Sequence, residues 1–164
     1  MKKFTKNDSP ASIWKNPYHF IACGFGAGAI PFAPGTFGTL MAVPIVLALS
    51  HLSILAYAVI SICYALLAMH CISKTDHDWG THDHPATVSD EIVGFLVTMF
   101  AIPPTWIMLL FGFILFRIFD IFKPWPIGWI DRHMQGGFGV VLDDVLAGVY
   151  AWMILRLWMH TGWY

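Results

Sequence analysis

A long stretch without charged side chains is the strongest indication of the fold: NPYHFIACGFGAGAIPFAPGTFGTLMAVPIVLALSHLSILAYAVISICYALLAMHCIS, residues 16–73. Lys15 precedes it and Lys74 follows it, and no Asp, Glu, Lys or Arg lies between them. A membrane-spanning helix needs roughly 20 consecutive apolar residues, so the stretch is long enough for two such helices. With a turn near His51 and Ser53, it predicts one helix over about 39–50, extendable toward the N-terminus, and a second over 53–72.

Two further apolar stretches lie closer to the C-terminus. Residues 92–116 carry no charge and contain the pair Pro103-Pro104, and the segment from Val145 onward contains one charged residue, Arg156. Because proline cannot continue a helix without loss of backbone hydrogen bonds, we expect a hairpin of two short helices bent at the prolines. Such short helices can cross a membrane twice only where protein partly buries them or the bilayer thins.

The overall composition supports a membrane protein. Of the 164 residues, 57% are hydrophobic and 12% are charged, whereas soluble domains carry roughly a quarter charged residues. The sequence therefore predicts an all-α, polytopic membrane helical bundle of about four to five membrane helices, some short or broken at Pro103-Pro104. A soluble all-α bundle is the alternative, but so small a chain lacks the interior to bury this much apolar surface. The net charge of −1 gives no indication of a nucleic-acid partner.

The charged residues are gathered in three blocks, residues 1–15, 74–91 and 117–144. Eight of the nine Lys and Arg residues lie in these blocks, so the positive-inside rule predicts that all three face the cytoplasm. An even number of crossings must then separate neighbouring blocks. The two helices of residues 16–73 and the proline hairpin would provide them.

Two pairs of adjacent acids lie beside the apolar stretches. Asp90-Glu91 ends the second polar block and Asp143-Asp144 ends the third, so each pair is expected at the start of an apolar helix. Carboxylates there can serve simply as caps that interact with the helix dipole. Two pairs close to hydrocarbon favour a functional role instead, because charge there is costly. Carboxylate oxygens suit Mg²⁺, which binds through a few carboxylates together with waters and substrate phosphate.

Arg117, Asp120 and Lys123 recur every three residues, which predicts that they share one face of a helix ended by Pro124. They could form a ladder of salt bridges at the membrane interface. Alternatively, Asp120 is a carboxylate ligand flanked by two cations that hold phosphate, since Arg provides bidentate contacts and Lys a point charge. The spacing alone does not choose between these interpretations.

Glycine-rich and histidine-rich segments complete the polar regions. Residues 131–139 are predicted to form a glycine-rich turn, which could expose backbone amides to an anion or serve only as a turn. In residues 34–39, PGTFGT, Thr36 could cap the first helix, or the hydroxyls and amides could bind a head group. The histidines of residues 77–84 lie among aspartates without regular ligand spacing, so a solvated loop is predicted rather than a metal site.

Taken in order, these segments resemble the phosphatidylglycerophosphatase A family. The resemblance covers roughly residues 16–160 and is carried by NPYH (16–19), PGTFGT (34–39), HDH (82–84), SDEIVG (89–94), the run from Phe116-Arg117 to KPWPI (123–127), and Asp131-Arg132 through Gly136-Gly137 to Asp143-Asp144. It implies a Mg²⁺-dependent phosphomonoesterase that removes the terminal phosphate of phosphatidylglycerophosphate, a lipid of the bilayer, to give phosphatidylglycerol. It also implies a multi-pass protein of the bacterial inner membrane with its active site facing the cytoplasm, made of a cytoplasmic tail (1–15) and one membrane domain (16–164).

The resemblance further implies roles for particular residues. The metal ligands are expected to be Asp90, Glu91, Asp143 and Asp144, and the same four together with Asp120 are expected to be the catalytic acids. Asp120 could be a ligand, a general base or a nucleophile. Contacts with the substrate are expected from Arg117 and Lys123, which hold the phosphate, and from Arg132, Thr36 and Thr39.

Two other classes of membrane protein remain as alternatives. A phosphotransferase that adds a head group would also bind lipid phosphate, but it needs a nucleotide-activated lipid. The Asp-Gly…Ala-Arg…Gly…Asp…Asp pattern of CDP-alcohol phosphotransferases is absent from the sequence. A small transporter would place its charges in the middle of membrane helices, whereas here they lie at the ends of the apolar stretches.

Overall fold

The computed structural model describes residues 11–160 and is all-α there, which confirms the all-α part of the predicted fold class. Its α-helices are α1 (Pro17–Ala22), α2 (Pro34–Leu49), α3 (Ile54–Trp79), α4 (Ser89–Thr98), α5 (Trp106–Phe122), α6 (Ile127–His133) and α7 (Gly136–His160). Two short 3₁₀ helices, Ala11–Trp14 and Ala27–Ala29, precede α2. Ile13 is fully buried, so the chain already packs against the bundle there. Residues 1–10, most of the predicted tail, lie outside the described residues.

Helices α2 and α3 are the pair that residues 16–73 predict. Ser53 caps α3, since its hydroxyl accepts a hydrogen bond from the Ala56 amide at 3.2 Å. The helix continues beyond the predicted end at residue 72 as far as Trp79. Gly80 then ends it in a left-handed conformation with φ of +66°, which glycine adopts without strain. The last turns of α3 therefore belong to the second polar block.

Apolar side chains cover the outside of the bundle. By length and composition, α3 and α7 could each cross a membrane. Leu55, Ile62 and Leu66 of α3 are 71%, 60% and 62% exposed. A soluble helical bundle would bury such side chains, because their exposure to water is unfavourable. This outward apolar surface favours membrane association over the soluble alternative.

The segment around Pro103-Pro104 forms the predicted helical hairpin. α4 ends at Thr98 and α5 begins at Trp106, where Thr105 caps it by accepting a hydrogen bond from the Met108 amide at 3.3 Å. α4 has only 10 residues and lies inside the bundle with most of its side chains buried. It is about 15 Å long, much shorter than the hydrocarbon core of a bilayer. Neighbouring helices rather than lipid therefore surround it.

Helices α2, α3, α4, α5 and α7 run in alternating directions. One cavity touches the first turns of α2 and α4, the loop after α3, the last turns of α5 and the N-terminal half of α7. A different cavity touches the end of α2, the start of α3 and the turn between α4 and α5. The polar blocks 74–91 and 117–144 consequently lie at the same end of the bundle, as the even number of passages predicts.

Glycines set α4 tightly against α7. A Cβ atom at Gly94 would lie 2.7 Å from the carbonyl oxygen of Asp144, and one at Gly148 would overlap the carbonyl oxygen of Gly94. Asp90 lies one turn before Gly94, and Asp144 lies one turn before Gly148. Because only glycine permits this approach, the packing of the two helices carries both carboxylates to the same cavity.

Candidate active site

A cavity of about 360 Å³ lies at the end of the bundle where the polar blocks meet. Six carboxylates and two cations line it: Asp83, Asp90, Glu91, Asp120, Asp143, Asp144, Arg117 and Lys123. All except Asp83 were singled out from the sequence as acidic site residues or phosphate contacts. Residues far apart in the chain are therefore gathered around one small space, where they could act on one ligand.

The carboxylates of Asp90 and Asp144 are buried, with 7% and 3% exposure. Asp90 Oδ1 and Asp144 Oδ2 have no hydrogen-bond partner among residues 11–160. A buried polar atom without a partner is unfavourable unless a ligand, an ion or a proton supplies the missing interaction. These two oxygens therefore mark the part of the cavity where a bound cation or a proton would be stabilised.

The acidic pair Asp90-Glu91 lies in the first turn of α4, as the sequence predicts. The same prediction for Asp143-Asp144 was wrong, because α7 begins at Gly136 and the pair lies about two turns inside it. The glycines that begin α7 pack without side chains against backbone carbonyls of α3 and of the segment before α7. The predicted glycine-rich turn over 131–139 is thus mostly helical, and capping does not explain Asp143-Asp144.

Arg117 on α5 holds two of the carboxylates. Its Nη1 atom lies 3.2 Å from Glu91 Oε2 and 2.7 Å from Asp120 Oδ2. The Thr39 hydroxyl lies within hydrogen-bonding distance of Glu91 Oε2, at 3.3 Å, and of the Gly35 carbonyl oxygen, at 3.0 Å, and can donate to one of them at a time. These contacts fix the guanidinium between α4 and α5 at the cavity wall.

Lys123 does not continue the helix face that it was predicted to share with Arg117 and Asp120. It follows the last residue of α5 and adopts a left-handed conformation with φ of +41°. Its ammonium instead lies 2.5 Å from Asp131 Oδ1 and 2.5 Å from Asp143 Oδ2. Burial acts to lower the pKa of Lys123, but the hydrogen bonds and charges of these two carboxylates outweigh it and raise the pKa, so the side chain stays cationic.

Three residues expected to contact the substrate do not line this cavity. Thr39 is fully buried beside Glu91, where its hydroxyl supports that carboxylate. Thr36 lies in the first turn of α2 but does not cap it, since the N-cap residue is Ala33 and makes no side-chain cap bond. Arg132 lies on α6 beside a second cavity.

Asp83 also lines the cavity, although its sequence pattern does not predict a site residue there. The loop that carries it is more ordered than a solvated loop, because His84 is 4% exposed and packs edge-on against Trp79 with 5.0 Å between the ring centroids. The Asp83 amide also donates a hydrogen bond to the buried carboxylate of Asp76 at 3.1 Å. The signal for Asp83 in the sequence was the HDH stretch (82–84), which carries part of the family resemblance.

The donor atoms of the cavity suit Mg²⁺, although no metal cage is preformed. Within residues 11–160, no three acidic, His or Cys side chains are gathered closely enough to hold a metal ion as they stand. Mg²⁺ does not require such a cage, because it usually binds through one or two carboxylates and keeps waters or substrate phosphate as its other ligands. The unpaired oxygens of Asp90 and Asp144 fit such a cation, and so does the excess of carboxylates over cations.

Together the fold and the site define an all-α protein with helices suited to a membrane and a cavity suited to an anion bound with a cation. Comparison with known proteins identifies the family. The family model described as Phosphatidylglycerophosphatase A matches residues 20–159. The chain is 40% identical over 146 residues to the Phosphatidylglycerophosphatase A of Escherichia coli (strain K12). The aligned region covers 88% of this chain and 85% of that protein. The chain therefore belongs to the phosphatidylglycerophosphatase A family and is a phosphomonoesterase.

Two other relatives agree with a lipid phosphatase. The Phosphatidylglycerophosphatase A of Haemophilus influenzae is 42% identical over 149 residues, which cover 88% of this chain and 91% of that protein. A protein of Bacteroides thetaiotaomicron named Putative phosphatidylinositol-3-phosphatase is 37% identical over 146 residues, which cover 84% of this chain and 90% of that protein. No solved structure matches the chain significantly. The family resemblance seen in the sequence is confirmed.

Proposed function

We propose that the chain hydrolyses the terminal phosphomonoester of phosphatidylglycerophosphate, giving phosphatidylglycerol and inorganic phosphate in a Mg²⁺-dependent reaction. The observation that carries this proposal is the cavity in which Arg117 and Lys123 face a group of carboxylates at one end of an apolar bundle. The cations suit a phosphate, the carboxylates suit Mg²⁺ and the apolar helices suit the acyl chains of a lipid. The choice of lipid follows the names of two relatives at 40% and 42% identity.

The residues that would hold the metal are Asp90, Glu91, Asp143 and Asp144. When bound, Mg²⁺ supplies positive charge that offsets the charge of the phosphate and favours ionisation of a nearby water. Asp90 and Asp144 lie on helices whose separation is fixed by the glycine contact between α4 and α7. The two carboxylates are therefore positioned before any ligand arrives, which lowers the cost of organising the site during the reaction.

Arg117 and Lys123 would bind the transferring phosphoryl group. Each cation is already held by two carboxylates, so its position is set within the protein. Phosphoryl transfer depends mainly on positioning and electrostatic stabilisation, because the protein has little covalent chemistry to perform. Fixed cations beside the non-bridging oxygens stabilise the charge that spreads over them while the bond from phosphorus to the glycerol oxygen breaks.

Asp120 is our candidate for the general base. Its Oδ2 atom accepts a hydrogen bond from Arg117 at 2.7 Å, so the carboxylate lies beside a cation that would bind the phosphoryl group. A water oxygen attacks phosphorus and its proton passes to the Asp120 carboxylate. The glycerol oxygen leaves with the bonding electrons and takes up a proton from solvent, and the Asp120 carboxyl then releases its own proton to solvent. The hydrolysis is thus completed without a phosphorylated enzyme.

We further propose that α2, α3, α4, α5 and α7 form the membrane bundle, with the cavity at the cytoplasmic face of a bacterial inner membrane. The alternating directions of these helices support this arrangement, and so does the burial of the short helix α4. Eight of the nine Lys and Arg residues lie in the three polar blocks. An excess of these residues is typical of the cytoplasmic side.

A phosphate-release assay tests the proposal. The purified protein in detergent is given phosphatidylglycerophosphate with Mg²⁺, with EDTA, and with EDTA followed by excess Mg²⁺. We expect phosphate release only when free Mg²⁺ is present, and complete recovery when the metal is restored. Lack of phosphate release with Mg²⁺ present would contradict the proposed function. Release with water as the only acceptor would also exclude the phosphotransferase alternative.

A matched pair of aspartate variants tests whether activity depends on a carboxylate of the cavity and not on an aspartate elsewhere in the polar blocks. Asp120→Asn should lower kcat by at least about a hundredfold, because the amide cannot take up the proton. Asp78→Asn should keep the activity, since Asp78 lies outside the cavity and pairs with Lys74 at 2.6 Å. Equal activity of the two variants would be incompatible with a role for Asp120 in catalysis.

A competing lipid tests the substrate assignment. Because one relative is named for a phosphoinositide activity, phosphatidylinositol 3-phosphate is the appropriate competitor. We expect a higher kcat/KM for phosphatidylglycerophosphate than for the phosphoinositide. The opposite preference would indicate that the same site hydrolyses the phosphomonoester of an inositol lipid as its main substrate.

A further inference from the structure

A second cavity, of about 250 Å³, adjoins the candidate active site. The segment after α5 and helix α6 form it, and its lining residues are Lys123, Trp125, Gly128, Trp129, Arg132 and His133. Lys123 lines both cavities, so the two cavities meet at this residue. A ligand that extends from the first cavity past Lys123 would enter the second.

The second cavity offers a cation that the protein itself does not use. Within residues 11–160, Arg132 forms no ion pair, in contrast to Arg117 and Lys123. The His133 ring stacks on Trp129 with 4.7 Å between ring centroids, and its Nδ1 atom donates a hydrogen bond to the Trp129 carbonyl at 2.7 Å. The wall beside Arg132 is therefore a fixed aromatic surface, and the free guanidinium is suited to an anion.

Exposed aromatic side chains surround this cavity. Phe122, Trp125 and Trp129 are 77%, 81% and 53% exposed. Indole rings concentrate at the interface between membrane and water, because they combine an apolar ring with a polar N–H group. In the membrane arrangement proposed above, α6 therefore lies at the depth of the lipid head groups, beside the cavity that binds the terminal phosphate.

We propose that the second cavity binds the phosphodiester of the lipid substrate and that Arg132 is the residue that recognises it. This inference rests on the proposed function and deepens it. The substrate carries two phosphate groups joined by one glycerol unit, and the protein has two adjacent cationic cavities that share Lys123. A planar guanidinium can contact two oxygens of a phosphodiester at once. The second cavity thus selects lipids that carry a diester in addition to the terminal phosphate.

Steady-state kinetics in mixed micelles test this assignment with a matched pair of arginine variants. Arg132→Gln removes the charge from an exposed side chain, and Arg156→Gln removes one that lies over the Trp152 ring in the distant part of α7. For phosphatidylglycerophosphate, Arg132→Gln should raise KM about tenfold and leave kcat within about twofold, which corresponds to the loss of one charge-assisted hydrogen bond. Arg156→Gln should change neither constant.

Phosphatidic acid distinguishes the diester of the substrate from the diester of a separate bilayer lipid. Phosphatidic acid has two acyl chains and a phosphomonoester but no phosphodiester. In this experiment it competes with phosphatidylglycerophosphate for the protein. If Arg132 contacts the diester of the substrate, Arg132→Gln leaves the inhibition constant of phosphatidic acid unchanged. Absence of inhibition even in the wild type would also support the proposal, because binding would then require the diester.

Three results would overturn the inference. An unchanged KM in Arg132→Gln, with an active wild type, would exclude the contact while leaving the proposed function intact. An equal weakening of phosphatidic acid would show that Arg132 binds something other than the substrate diester. A wild type that releases no phosphate would reject both proposals together. Arg132→Lys, which keeps the charge and loses the planar fork, should give an intermediate KM and so separates lost recognition from misfolding.

Discussion

The two ends of the helical bundle differ sharply in charge, although helix termini meet at both. Six carboxylates and two cations surround the cavity at one end. At the other end, a cavity of about 240 Å³ lies between the α2–α3 turn and the α4–α5 turn, and none of its lining residues is charged. The helices that begin there, α3 and α5, are capped by the neutral hydroxyls of Ser53 and Thr105.

The difference shows that charged residues are not needed to cap the helices of this fold. A neutral hydroxyl accepts a hydrogen bond from one first-turn amide in each of α3 and α5, and Asp143-Asp144 lies too far inside α7 to cap it. Charged groups next to hydrocarbon are costly, so a fold gains nothing from gathering them unless they act on a ligand.

Asp144→Asn should lower kcat on the order of a thousandfold, because it replaces a buried carboxylate at the proposed metal with a neutral amide of the same shape. The free energy of unfolding should stay the same or rise, since the variant removes a buried negative charge that lies among other carboxylates. Phosphate release and thermal unfolding measure the two effects. Full Mg²⁺-dependent turnover in this variant would refute the metal assignment for Asp144.

Arg117→Lys should lower kcat/KM about a hundredfold, although it keeps the positive charge. The Nη1 atom alone contacts Glu91 and Asp120, at 3.2 Å and 2.7 Å, so the guanidinium keeps further N–H donors for a phosphate. A shorter ammonium held by the same two carboxylates would not offer that second group of donors. Arg156→Lys is the matched control. Arg156 lies near the C-terminal end of α7, away from the cavity, so this variant should behave as wild type. Similar losses in both variants would indicate a general requirement for arginine rather than a role in the site.

Gly35→Ala should lower kcat/KM about tenfold by displacing Glu91, because a Cβ atom at residue 35 would overlap the Glu91 Oε1 atom. A second substitution tests the cause. Glu91→Asp shortens the side chain and makes room, so the double variant should be less impaired than the product of the two single effects. Simple multiplication of the two effects would show that Gly35 acts through something other than the position of Glu91.

Thr105→Ala, at the uncharged end, should lower the free energy of unfolding by about 1 kcal/mol through loss of the α5 cap. The activity of the folded protein should not change, because the capped turn lies at the far end of α5 from Arg117 and Asp120. Thermal unfolding in detergent and initial rates below the transition are the measurements. A fall in kcat without a change in stability would mean that the two ends are coupled.

The sequence predicted most of the fold because charged residues are rare in it. The uncharged stretch over residues 16–73 contains α2 and most of α3, and Pro103-Pro104 separates α4 from α5 as expected. The same rarity made the functional candidates visible, since few polar residues remain once the apolar helices are assigned. Asp90, Glu91 and Asp120 were selected in this way, and all three line the cavity.

Other features of the site depend on contacts that no local pattern encodes. Asp83 was missed because its place depends on the buried carboxylate of Asp76 and on the packing of His84. Lys123 lines the cavity from outside the predicted helix face, because α5 ends at Phe122 and Lys123 adopts a left-handed conformation. Thr39 was expected to bind substrate, whereas the structure uses its hydroxyl to support Glu91.

An all-α chain with apolar helices and a small set of charges confined to three blocks follows from the sequence alone, because helix length and hydrophobicity are local properties. The gathering of these charges around one cavity at one end of the bundle depends on tertiary packing. The glycine contact between α4 and α7 is its cause, because it brings Asp90 and Asp144 together across 54 positions of the chain. Close packing of distant segments, and not spacing along the sequence, makes the site.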